Sequence, residues 1–151
     1  MKPGQTDQDD RKAWLGLLAK SPAAKLAELW AAVDAISDYK VLRAPEIGAV
    51  MVRGRAGAVG AQFNLGEMTV TRASVRLAGG AVGHGYVQGR DKDKALVAAQ
   101  IDALMQTDQA DHIQKTVLDP LRVHMQATKD KRARKAAATK VDFFTLVRGE
   151  G

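Results

Sequence analysis

The stretch Met68–Leu77 constrains this chain most, because its side chains alternate with a period of two. Ala73, Val75 and Leu77 point one way, and Arg72, Ser74 and Arg76 the other, which is the pattern of a strand buried on one face only. Gly79-Gly80 follows, a good two-residue hairpin turn, and leads into a second strand over Val82–Gln88. Upstream, Tyr39–Arg43 and Ile47–Arg55 read as further strands separated by the breaker Ala44-Pro45-Glu46, with a short apolar segment over Phe63–Leu65. Strands joined by short turns call for an antiparallel sheet.

Helical spacing flanks this block on both sides. Thr6 and Asp9 have the spacing of an N-cap box, followed by Trp14, Leu17 and Leu18 on one face. Ser21-Pro22 reads as a cap and first residue of a second short helix, whose stripe is Leu26, Leu29, Trp30 and Val33. After the strands, Asp91 caps a helix whose buried face is Val97, Ile101, Leu104 and Met105. Ile113, Val117, Leu121 and Met125 continue the period, and Pro120 either kinks that helix or starts another with Asp119 as its cap. The expected fold is α+β: two short helices, an antiparallel sheet, then two or three helices and a C-terminal apolar arm. With 151 residues the chain has the length of one domain. Within it, residues 1–9 read as a flexible N-terminus, 129–140 as a basic helix or linker, and 141–149 as a docking segment.

The net charge of +6 is concentrated locally. Lys129, Lys131, Arg132, Arg134, Lys135 and Lys140 stand against Asp130 alone, so the high isoelectric point describes one segment. Such a run invites a nucleic-acid-binding module, which is the alternative reading of function, but it has no interleaved aromatics for base stacking. The segment after it, Val141–Val147, is apolar, and Phe143, Phe144, Leu146 and Arg148 are its candidate docking residues.

Chemical motifs are sparse. The chain has no cysteine, which excludes disulfides, thiolate metal sites and cysteine nucleophiles. His84, His112 and His124 lack metal-ligand spacing. Gly54-x-x-Gly57-x-x-Gly60 and Gly83-x-Gly85-x-x-x-Gly89 miss the dinucleotide spacing, and turns or close backbone packing suit them better. No run reaches the ~18 apolar residues of a membrane span, and the cytoplasm is the default compartment. Arginines remain. Arg72 and Arg76 share one strand face, Arg53 and Arg55 share another, and Arg90 lies at a strand-to-helix junction. Convergent guanidinium groups suit phosphates or partner carboxylates, so Arg72, Arg76 and Arg90 are candidates for substrate or interface contact, with a solvated sheet face as the plainer account. A free-standing enzyme built on that face is a third possibility, for which no motif speaks.

Five segments in order, spread over residues 11–149, carry a resemblance: Arg11-Lys-Ala-Trp-Leu-Gly-Leu-Leu-Ala-Lys-Ser21, Thr71-Arg-Ala-Ser-Val-Arg-Leu77, Gly85-Tyr-Val-Gln-Gly-Arg-Asp-Lys92, Gln100-Ile-Asp-Ala-Leu-Met-Gln106 and Val141-Asp-Phe-Phe-Thr-Leu-Val-Arg-Gly149. Together they resemble the PhnG family, the G subunit of the carbon–phosphorus lyase core complex of phosphonate catabolism. The resemblance implies assembly with H, I and J subunits. It also implies support, with I and H, of a reaction in which an alkylphosphonate displaces adenine from ribose C1′ of MgATP, giving a ribose 1-phosphonate 5-triphosphate. The chemistry is credited to the I subunit in that family, and the J subunit later breaks the carbon–phosphorus bond with an iron–sulfur cluster and S-adenosylmethionine. The implied role is a non-catalytic or co-catalytic subunit, inactive alone, that binds no cofactor by itself, MgATP being a substrate of the complex. No catalytic residue carries over.

Overall fold

The computed structural model describes residues 3–34, 38–55 and 62–149, with side chains for 7–34, 38–54 and 65–142. The chain is α+β. Two helices, α1 (Pro3–Lys20) and α2 (Ala23–Ala31), precede strands β1 (Tyr39–Arg55), β2 (Gln62–Leu77) and β3 (Val82–Gln88). Then come α3 (Lys92–Leu104), α4 (Ala110–Ile113), a π-helical turn (Gln114–Leu118) and α5 (Asp119–Gly149). The strands form one antiparallel sheet in the order β1-β2-β3.

The alternation of β2 sets the core. Ala73, Val75 and Leu77 are buried, and so is Val87 of β3. They join Leu18 of α1, Leu26 of α2, Ile101 and Leu104 of α3, and Ile113, Val117, Leu118 and Leu121 of the C-terminal helices in one cluster. All the helices that reach this cluster lie over the same sheet face, while Arg72 and Arg76 project from the opposite, exposed face.

Several local expectations are corrected. Helix α1 begins at Pro3, so Thr6 lies inside it rather than at its cap, and residues 3–9 are helical; a first-turn proline costs no hydrogen bond. Ser21 closes α1 instead of opening α2: its hydroxyl donates to Leu18 O at 2.8 Å, and Pro22 occupies the N-cap with no side-chain cap bond. The breaker at Pro45 does not divide β1. The strand absorbs it in register shifts between Val41 and Arg43 and between Arg43 and Glu46, which an edge strand tolerates because the proline needs no ladder donor there. Phe63–Leu65 belongs to β2 itself, a strand of 16 residues. The turn between β2 and β3 has three residues, not two: Leu77 N–H donates to Ala81 O, closing Ala78, Gly79 and Gly80 between them, and Gly80 takes a φ of 102° at the third position.

Helix α3 departs from its expected stripe as well. Ile101 and Leu104 are buried, but Val97 and Met105 are only half-buried, and the most deeply packed face is Ala95, Ala99 and Ala103. The cause lies opposite, on β3. A Cβ on Gly83 would sit 1.9 Å from Ala99 O, and one on Gly85 would sit 2.0 Å from Ala95 O. Strand and helix backbones touch directly, which only glycine facing alanine permits. Asp91 caps α3 as expected, accepting from Lys94 N–H at 2.9 Å.

Pro120 has no N–H to continue the α-helical ladder, and the π-helical turn Gln114–Leu118 lies immediately before it. Gln114 Nε2 donates to Asp119 Oδ1 at 2.7 Å, and Arg122 pairs with the same carboxylate. The Gln114 bond first, and then Arg122, hold Asp119 below the usual carboxylate range. Beyond Thr128, α5 is exposed through Asp142. Its 31 residues make a rod of roughly 46 Å at ~1.5 Å per residue.

Candidate interaction faces

Three features could serve function: a buried polar network, the open face of the sheet, and the long β1–β2 ribbon with helix α5. The network was not anticipated from the sequence. Asp102 is fully buried and accepts from Arg11 Nη2 at 2.8 Å, Arg11 Nε at 3.2 Å, Trp14 Nε1 at 2.8 Å and the backbone N–H of His84 at 2.8 Å. The hydrogen bonds that Arg11 donates to Asp102 hold its guanidinium above the ordinary range against the opposing cost of burial, with the attraction of the two charges adding to it. Arg11 and Trp14 lie three residues apart on one face of α1, the spacing at which helical side chains act together. One signal existed: an acid at 102 flanked by Ile101, Ala103 and Leu104 is misplaced unless cations and donors meet it. The network fastens α1 to α3 and the edge of β3, and all its charge is internally matched.

A cleft of about 890 Å³ lies beside it, lined by Arg11, Trp14, Gln106, Gln114 and Arg122 among others. Its two arginines are engaged by Asp102 and Asp119, and the lining also carries the carboxylates of Asp7 and Asp10, so it offers no free cation to an anionic ligand. Below α1, Lys94 Nζ points to Ala19 O at 3.4 Å, and burial pushes its ammonium below the ordinary lysine range, with Asp91 opposing.

On the open sheet face, Arg72 and Arg76 do share one side of β2, as expected. Opposite them across β3 stand Tyr86 and Val82, and Ser74 faces His84 with Ser74 Oγ 2.9 Å from His84 Nδ1. Across β1 the partners are Glu46 for Arg72, Arg43 for Ser74 and Lys40 for Arg76. Arg90 is not in this array; it is exposed in the turn between β3 and α3. Arg53 is exposed on β1, while the side chain of Arg55 lies outside the described residues, as do Gly57 and Gly60. Gly83 and Gly85 serve close packing, in line with the plainer account of that glycine run.

Among the described residues, most of the large apolar side chains left exposed lie on the ribbon. Tyr39, Val41, Leu42, Ile47 and Met51 of β1 are exposed, with Leu65 of β2 at 62%. Val123 and Val141 are exposed on α5. The residues from 141 onward continue α5 rather than forming a separate arm, and the side chains of Phe143, Phe144, Leu146 and Arg148 lie outside the described residues. The basic segment is an exposed part of the same helix. At ~100° per residue its cations fall on every side, which leaves no single basic stripe for a nucleic acid to follow. Among the described residues no helix is long and apolar enough to cross a membrane, and no group of acids and histidines is arranged for a metal.

A small α+β chain with a packed core and an apolar ribbon left in solvent belongs to the class of subunits built to meet other chains. The comparisons give the family. The model of the family described as phosphonate metabolism protein PhnG matches residues 9–149. The chain is also 43% identical over 140 residues to the alpha-D-ribose 1-methylphosphonate 5-triphosphate synthase subunit PhnG of Rhizobium meliloti (strain 1021), covering 93% of this chain and 90% of the relative. The chain belongs to the PhnG family.

Proposed function

We propose that this chain is the G-type subunit of a ribose 1-methylphosphonate 5-triphosphate synthase in phosphonate catabolism. The observation that carries the reading is the near full-length likeness to a relative named as a subunit of that synthase. Its partners are the H, I and J subunits of a carbon–phosphorus lyase core complex in the cytoplasm. MgATP and an alkylphosphonate are substrates of the assembly, and this chain contributes structure rather than the reacting groups. The exposed apolar side chains of β1 and α5 support that role, because burying them requires a partner surface.

The test is co-expression with the H, I and J subunits. All four should co-purify, and adenine release from MgATP and methylphosphonate should require this chain. Full activity without it would overturn the reading. Arg72 and Arg90 are assigned to the subunit interface or to a ligand phosphate; Arg72→Gln and Arg90→Gln should lower complex yield or turnover, and wild-type values for both would remove that assignment.

A further inference from the structure

The open sheet face carries positive charge that no ion pair among the described residues neutralises at Lys40, Arg72 or Arg76. Its three cross-strand rows are Lys40–Arg76–Val82, Arg43–Ser74–His84 and Glu46–Arg72–Tyr86. Residues directly opposite in an antiparallel pair place their Cβ atoms ~5 Å apart, and like charges at that spacing repel. Lys40 and Arg76 are such a pair. Glu46 is the acid in these rows, and it lies 3.8 Å from Arg43. The other ion pairs among the described residues are Arg11–Asp102, Lys25–Glu28 and Arg122–Asp119. None of them involves Lys40, Arg72 or Arg76.

Three further features distinguish this face from ordinary solvated surface. Tyr86 is 42% exposed beside Arg72, and an aromatic with a polar tip is a frequent interface anchor. His84 is held at Nδ1 by Ser74, so an anion at Nε2 selects the tautomer in which Ser74 Oγ–H donates to Nδ1 and Nε2–H points outward. The strand under His84 is fixed from behind by Asp102, so the array is held on a rigid support. A sheet face is shallow, whereas small-molecule sites are concave, and the charge is spread over three strands rather than gathered in a cleft.

We propose that this face docks an acidic protein surface, a cluster of Asp and Glu side chains on a neighbouring subunit, with Lys40, Arg72 and Arg76 supplying the complementary charge. This rests on the assembly reading above and assigns the face that makes the contact and the chemistry of what covers it.

The experiment uses the full chain co-expressed with the H, I and J subunits. Lys40→Glu with Arg76→Glu should reduce recovered partner roughly tenfold, because reversed charges now face carboxylates, and Lys40→Gln with Arg76→Gln should reduce it less. Both positions are exposed, so the variants alone should melt within about 2 °C of wild type. Treatment of the wild-type complex with a carbodiimide, which joins an amine to a carboxylate without a spacer, should link Lys40 Nζ to an Asp or Glu of a partner. If wild type recovers partners and the reversal variant recovers as much, or other lysines cross-link and Lys40 does not, this inference fails alone. If wild type recovers no partner, the assembly reading fails and this inference with it. Micromolar binding of sodium tripolyphosphate that vanishes in the reversal variant while partner recovery is unchanged would overturn it in favour of a small phosphorylated ligand.

Discussion

The seam between β3 and α3 and the ribbon formed by β1 and β2 are built on opposite principles. At the seam, Gly83 and Gly85 bring strand backbone against the Ala95–Ala99–Ala103 face, and Asp102 gathers donors from α1 and β3. A side chain on either glycine would run into helix backbone, and the Asp102 carboxylate is fully engaged by its four donors. Along the ribbon, Ile47, Met51 and Leu65 stand in solvent, and Pro45 is absorbed by shifts of register. Substitution at the seam is therefore felt by the chain alone. Substitution on the ribbon is felt only when another chain is present.

The largest effect belongs to Gly83→Ala or Gly85→Ala, where the new methyl group meets backbone that cannot yield; a loss of about 3 kcal/mol or more is expected in urea denaturation. Tolerance of both would mean that α3 is free to move off the sheet. Asp102→Ala comes next in certainty of mechanism, at roughly 3 kcal/mol, because the Arg11 charge and the Trp14 and His84 donors all lose their acceptor at once. Asp102→Asn keeps one acceptor oxygen and should cost less. Met51→Ser together with Leu65→Ser should change the stability of the isolated chain by about 0.5 kcal/mol or less, yet reduce co-purification with the partner subunits. Deleting residues 141–151 should likewise prevent assembly while leaving the chain folded, and a complete complex formed by the truncated chain would dismiss the C-terminal helix as a docking element.

The smallest effect is a slope with pH. Burial lowers the Lys94 pKa in the folded state, so between that lowered value and the ordinary lysine value the unfolded chain binds more protons. Stability from this group therefore rises with pH across that alkaline window. The rise should be visible as a wild-type urea midpoint that gains on that of Lys94→Met as pH increases, and parallel profiles would show that Lys94 is not desolvated.

Much of the fold was legible because periodicity reports on burial. The alternation of β2 from Arg72 to Leu77 and the i, i+4 series Ile113–Val117–Leu121 each mark a solvent-free face, and the structure buries both, although Val70, in phase with Arg72, is buried as well. Boundaries were less legible. Thr6, Ser21 and Pro45 all carry local signals for a cap or break, and each resolved differently: α1 already runs from Pro3, Ser21 bonds back to Leu18 O, and β1 takes up Pro45 in shifts of register. The stripe of α3 was misjudged because its depth depends on glycines in a strand elsewhere in the sequence, and no window along the helix contains that information. The arginine face was half legible: alternation places Arg72 beside Arg76, but only strand register brings Lys40 and Arg43 to them. The Asp102 network joins residues about ninety positions apart, beyond the reach of any local pattern.

One detail of β3 bears on how many copies of this chain can stack. The outward His84 N–H is taken by Asp102 at 2.8 Å, and the outward carbonyl of Val82 accepts from Gln106 Nε2 at 2.8 Å. That margin of the sheet is closed to a further strand, while the margin along β1 stays open. A filament grown by strand addition needs two free margins on every copy. With one sealed, edge-to-edge growth stops at a pair, so the protein can offer a long apolar ribbon to a partner without seeding its own fibre.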